Sequence, residues 1–174
     1  MIKRFGCNVH AFDPTPRSIA WVSQQSLPEE FIFHPLGISD HDGTLEFFEP
    51  RREESFNYSS IKRDPGRRNH RVIQAPVKRL STIMQELGHE RLDILKIDIE
   101  GGEYPVLDDV LAAKIPVGQL LIEFHHNFKS VGVNRTVRAV DALRAAGFRL
   151  FFLSNRTYEM SFIHTSLLPD STPD

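Results

Sequence analysis

Two short stretches hold most of the residues that could do chemistry. Asp98-Ile99-Glu100-Gly101-Gly102-Glu103 closes one apolar run, and Glu123-Phe124-His125-His126 closes another. Alternation along a strand puts Ile94, Lys96, Asp98 and Glu100 on one face, and Leu121, Glu123 and His125 on one face of the next. If the two strands are parallel neighbours, carboxylates and an imidazole meet at one rim. An imidazole ordinarily titrates near neutrality, so such a set is equipped to move a proton. Two carboxylates and a histidine could also gather a divalent cation. The spacing within each strand fits no specific ligand motif, however, and no metal ligand is assigned. Lys96 is read as pairing with an acid, and Glu103 as an acid that favours a helix N-terminus. A third candidate, Asp13, ends the earlier run Cys7–Phe12. A carboxylate there accepts two hydrogen bonds from the ribose of a nucleotide-type cofactor, although Asp-Pro also starts turns.

The elements that must position these groups alternate. Strands are predicted at 7–12, 92–99, 117–124, 148–153 and 157–164, and helices at 17–25, 80–87, 103–114 and 134–147. Gly88 stops the second helix, Gly101-Gly102 turns the chain into the third, and Asn134 caps the fourth, with Val137, Val140 and Leu143 inward. Residues 31–39 and 44–48 flank His41-Asp42-Gly43 and read as a hairpin. Strand–helix alternation of this kind argues a doubly wound α/β sheet, with 92–99 and 117–124 as central strands covered on both faces. Ligands in such sheets bind beyond the carboxyl ends of the strands, where Asp13, Asp98 and His125 all fall.

The bulk properties narrow the classes. The chain has 174 residues, 40% hydrophobic and 25% charged, with a formal net charge of −2. That suits one globular domain over 1–167 with a polar tail at 168–174, and it excludes a generally basic nucleic-acid binder. No apolar run is long enough for a bilayer span and no signal peptide opens the chain, so the expected compartment is cytoplasmic. The lone Cys7 reads as a small hydrophobe. Segment 51–79 carries nine Lys or Arg against three acids and is read as a long surface loop. Beside Phe56 and Tyr58, those cations could also hold an anionic acceptor.

Asp93 to Leu107, DILKIDIEGGEYPVL, resembles the signature of the FkbM family of S-adenosylmethionine-dependent methyltransferases at nearly every position. VHAFDPTP (9–16), VKRLSTIM (77–84), LLIEFHH (120–126) and the 148–164 hairpin resemble the flanking elements of that family. The resemblance implies a Rossmann-like class I methyltransferase sheet, mostly parallel with an antiparallel C-terminal hairpin. It further implies transfer of a methyl group from S-adenosylmethionine to a hydroxyl of a small-molecule or sugar-type acceptor. On that reading Asp13 holds the ribose and Gly37-Ile38-Ser39 lie against the adenine. His125 is the base, with Asp98 and Glu123 orienting it or holding the acceptor. The family's first strand and glycine-rich loop have no counterpart before Cys7, so the sheet is expected to be truncated at its N-terminal side and to self-associate through an exposed edge. Two other readings stay open: a catalytically silent interaction or dimerisation module, and a metal-dependent hydrolase using Asp98, Glu100, Glu123 and His125.

Overall fold

The computed structural model describes residues 1–50, 52, 55–62 and 71–169. A short helix, α1 (Ile2–Phe5), precedes β1 (Val9–Phe12), α2 (Pro16–Val22), β2 (Phe31–His34), β3 (Gly37–Ser39), β4 (Gly43–Phe48) and β5 (Val72–Arg79). Then follow α3 (Leu80–Leu87), β6 (Leu92–Ile97), α4 (Glu103–Ala112), β7 (Val117–Glu123), α5 (Val133–Ala145), β8 (Phe148–Leu153) and β9 (Glu159–His164). Among the described residues no helix is long and apolar enough to cross a membrane.

The result is a mixed α/β structure of three sheets rather than the single, mostly parallel sheet anticipated. β1 pairs with β2 in parallel, and β6 with β7 in parallel. β9 runs antiparallel to both β7 and β8, the C-terminal hairpin anticipated from 148–164. β1 and β6 are not joined, so β6 is an edge strand with one face open: Leu95 and Ile97 are buried, whereas Ile94 and Lys96 are exposed. The expectation of a β6 covered on both faces therefore fails, while β7 between two partners keeps Val117, Leu120 and Ile122 buried.

The expected 31–48 hairpin also fails, because β5 sits between β3 and β4, parallel to the first and antiparallel to the second. The last eight residues of the presumed basic loop are thus a strand. Ile73, Ala75 and Val77 turn inward in alternation with exposed Val72, Gln74 and Pro76. Two of its cations are committed to ion pairs: Lys78 with Glu86 at 2.5 Å, and Arg79 with Asp109 at 2.5 Å. Arg51, Arg63, Arg67 and Arg68 lie outside the described residues.

Local signals account for the helices. Thr15 caps α2 by accepting from the Ser18 amide, with Pro16 at the first helical position. Gly88 ends α3 in the left-handed conformation, φ 69°. Gly132, not Asn134, is the N-cap residue of α5, and its inward side is Thr136 and Leu143 while Val137 is exposed. The core gathers Leu107 and Val110 of α4, Leu120 and Ile122 of β7, Leu143 of α5, and Phe124 and Phe162. At the other end, His10 of β1 bonds His34 of β2 (2.9 Å), and His89, after α3, meets His10 edge-on at 4.8 Å. Burial, and behind it the proximity of His89, hold His10 and His34 below the ordinary imidazole range.

Candidate functional site

Asp98 stands one residue past β6, Glu123 ends β7, and His125 lies two residues further on. Because β6 and β7 are parallel and in register from Leu92–Val117 to Ile97–Ile122, both chain ends arrive at one rim. One ligand atom each from Asp98, Glu123 and His125 lies within 4.8 Å of the others. The convergence inferred from strand alternation is present, but Glu100 reaches it by a different route. Its backbone is left-handed, φ 54°, which breaks the alternation, and its Oε2 lies 3.1 Å from His125 Nε2.

The strand-to-helix turn is built for this. Gly101 has φ 102°, and a Cβ there would come within 2.7 Å of Ile61 Cδ1, so only glycine fits without displacement. Segment 55–62 is seated on the same turn: Ser59, 1% exposed, donates its hydroxyl to the Glu100 carbonyl at 2.6 Å. Tyr58 is buried beside it, and Arg17 lies over the Tyr58 ring.

Glu103 is the residue that sequence reasoning undervalued. It is not an exposed first-turn acid but fully buried, and its Oε1 accepts from His125 Nδ1 (2.8 Å), the Gly101 amide (2.9 Å) and the Ile99 amide (3.3 Å). The available signal was Gly101-Gly102 between two glutamates, a turn tight enough to fold the second back on the first. Lys96 pairs with Asp98 at 3.4 Å, as its position suggested.

These contacts change what each group can do. Burial alone would lower the His125 pKa, but hydrogen bonds to Glu100 and Glu103 and their charges outweigh it and push it up to about 10. His125 is therefore an imidazolium at neutral pH. Burial, and then the Asp98 charge, raise Glu123, with His125 and Lys96 opposing. Beyond the site, Tyr104 bonds Thr136, which bonds His126 in turn. Burial and the His125 charge keep His126 below its ordinary value. A cation held by Asp98, Glu123 and His125 would have to displace the proton that His125 shares with Glu100.

The residues foreseen for a cofactor form a second group. Asp13, just past β1, is fixed by its own turn: Oδ1 accepts from the Thr15 amide (2.8 Å) and Oδ2 from the Ser18 hydroxyl (2.6 Å). Gly37 is buried against the residue after Asp13, since a Cβ on it would meet Pro14 Cγ and Val77 Cγ1, each at 3.2 Å. Ile38 lines a small apolar cleft with Lys96, Ile97 and Ile99. Ser39 is buried and bonds Asp40.

A mixed α/β domain whose acids and imidazole gather past the ends of two parallel strands is of the α/β class that binds ligands beyond its strand ends, and it is consistent with a methyltransferase-like fold. The chain belongs to the methyltransferase FkbM domain family, whose model matches residues 2–150. It is 28% identical over 156 residues to "Probable methyltransferase-like protein 24" of Rattus norvegicus, and 27% over 161 residues to the protein of the same name from Homo sapiens. Each match covers 84% of this chain and 36% of the relative, so the chain spans about a third of those proteins. A shorter stretch of 77 residues, 42% of the chain, is 38% identical to "AMB antimetabolite synthetase AmbE" of Pseudomonas aeruginosa, covering 4% of that protein. No solved structure matches significantly.

Proposed function

We propose that this chain is an S-adenosylmethionine-dependent methyltransferase domain that methylates a hydroxyl oxygen of a small-molecule or sugar-type acceptor, with Glu123 taking the acceptor's proton. The observation that carries the reading is the meeting of Asp98, Glu123 and His125 beyond β6 and β7 in a chain of this family. S-adenosylmethionine, when bound, supplies a methyl group on a sulfonium: the S–CH₃ bond breaks as the O–CH₃ bond forms, and sulfur keeps the electron pair. The protein's own share is alignment and proton removal. A carboxylate raised by burial and by Asp98 is better matched to that proton than an ordinary one. His125, charged and 4.0 Å from Glu123, orients the carboxylate rather than competing with it. A rim of Asp98, Glu100 and Glu123 disfavours a phosphorylated acceptor at the reacting centre and suits a neutral hydroxyl.

For the cofactor, the supporting features are Asp13 and the 37–39 strand beside it. Each Asp13 oxygen has a further lone pair after its turn bond, so both remain able to accept from ribose hydroxyls. Ile38 and Ile99 line a small apolar cleft, against which the flat face of the adenine would lie. Titration calorimetry with S-adenosylmethionine and S-adenosylhomocysteine is the test. Binding that Asp13→Ala weakens by about tenfold or more per lost bond supports the assignment. Unchanged affinity removes Asp13 from the site, and no heat with either ligand favours the silent interaction module.

The sheet order β6-β7-β9-β8, with β1 and β2 set apart, supports a Rossmann-like sheet interrupted beside β6. No described strand pairs with the outer edge of β6, where Ile94 is exposed. We expect a second copy of the chain to pair there. Light scattering at tens of micromolar should read a mass above that of one chain, and a clean monomer removes this expectation.

A further inference from the structure

We propose that Glu103 is the positioning residue of the site: its buried carboxylate holds His125 by Nδ1 and the Ile99–Gly101 turn by two amides, which fixes Nε2 against Glu100 and towards Glu123. For its part in turnover, this rests on the methyltransferase reading above. An acid that only favours a helix N-terminus needs no burial, since the effect works at the solvent-exposed first turn. Glu103 instead has 0% exposure, and α4 has no side-chain cap of its own. Three donors converge on Oε1, two from backbone and one from the imidazole. Its other oxygen, Oε2, is buried and finds no hydrogen-bond partner, a cost that a helix-favouring acid at the surface would not carry. Held on Nδ1, the imidazole keeps one orientation, with Nε2 3.1 Å from Glu100 and 4.0 Å from Glu123. This is the arrangement in which a buried carboxylate orients a working histidine from behind. The same carboxylate ties that orientation to the glycine turn, so Glu100 and His125 arrive together.

Glu103→Gln keeps the shape and removes the charge. Two readouts decide the matter, after thermal melting shows the variant folded. Followed by NMR, the His125 titration midpoint, about 10 in the native chain, should fall by one unit or more, about tenfold in proton affinity. In a methyl-transfer assay, kcat should fall roughly 10²-fold while the acceptor KM holds. Glu103→Asp, which keeps the charge but draws it back by one methylene, should lose kcat as well, and it carries the same measurements if Glu103→Gln does not fold. A folded variant with an unmoved His125 midpoint overturns the proposal, and so does one whose midpoint falls while kcat stays native. If the native chain binds neither S-adenosylmethionine nor S-adenosylhomocysteine, the methyltransferase reading fails separately, and the titration still reports on Glu103.

Discussion

Replacing Glu123 by Gln should lower turnover by about 10²–10⁴-fold while leaving S-adenosylhomocysteine affinity and melting temperature close to native. The substitution preserves shape at a partly exposed position and removes only the group that accepts the proton. The pH profile separates this from the expectation that His125 is the base. A base must be unprotonated to act, so kcat/KM should rise with pH through the Glu123 titration, which burial and Asp98 set above the ordinary carboxylate range, and then level off. If His125 were the base, the rising limb would instead lie near pH 10, where that imidazolium gives up its proton. The groups facing His125 are Asp98, Glu100, Glu103 and Glu123, with Phe128 packed on the ring and His126 beside it. Full turnover by folded Glu123→Gln, or a limb near pH 10 alone, would end the assignment to Glu123.

That contrast marks the boundary of what the amino-acid order makes legible. Asp98, Glu123 and His125 were traceable because strand period and parallel pairing are local properties that survive folding. The protonation of His125 was not, because it depends on a left-handed Glu100 and on a glutamate buried from the next helix. Leu80–Leu87 and its glycine stop were readable from one helical face and one C-cap. β5 was hidden by Pro76 and by the cations around it, and its pairing between β3 and β4 joins strands more than 20 residues apart in sequence. No short-range signal predicts that insertion. Once it is made, residues 37–48 cannot close as a hairpin. On α5, helical spacing alone offered Val137 as inward, whereas the helix is rotated so that Thr136 takes the place and bonds Tyr104.

The hairpin β8–β9 poses the same problem in its sharpest form, and it carries the largest expected stability effect. Phe148-Arg149-Leu150-Phe151-Phe152-Leu153 reads as one apolar run, yet only Phe148 of the six is buried, because β8 is a sheet edge and a bulge between Leu150 and Phe152 shifts its register. The buried aromatic is on its partner strand. Phe162 has no exposure and lies between Leu120 of β7, also fully buried, and Leu150 of β8. Phe162→Ala removes a ring from the centre of that sheet and leaves a cavity that flanking strands cannot close, so it should cost about 3–5 kcal/mol. That is a large share of the roughly 5–15 kcal/mol by which a domain is stable. Phe151→Ala, at 56% exposure on the edge strand, should change stability by no more than about 0.5 kcal/mol. Urea denaturation of both variants reads the difference as a lowered midpoint for Phe162→Ala at an unchanged slope. Equal losses in the two would mean that the edge strand is covered in solution and that its exposed phenylalanines are part of an interface. A loss below about 1 kcal/mol at Phe162 would mean that the sheet packing described here is not the one that holds the domain together.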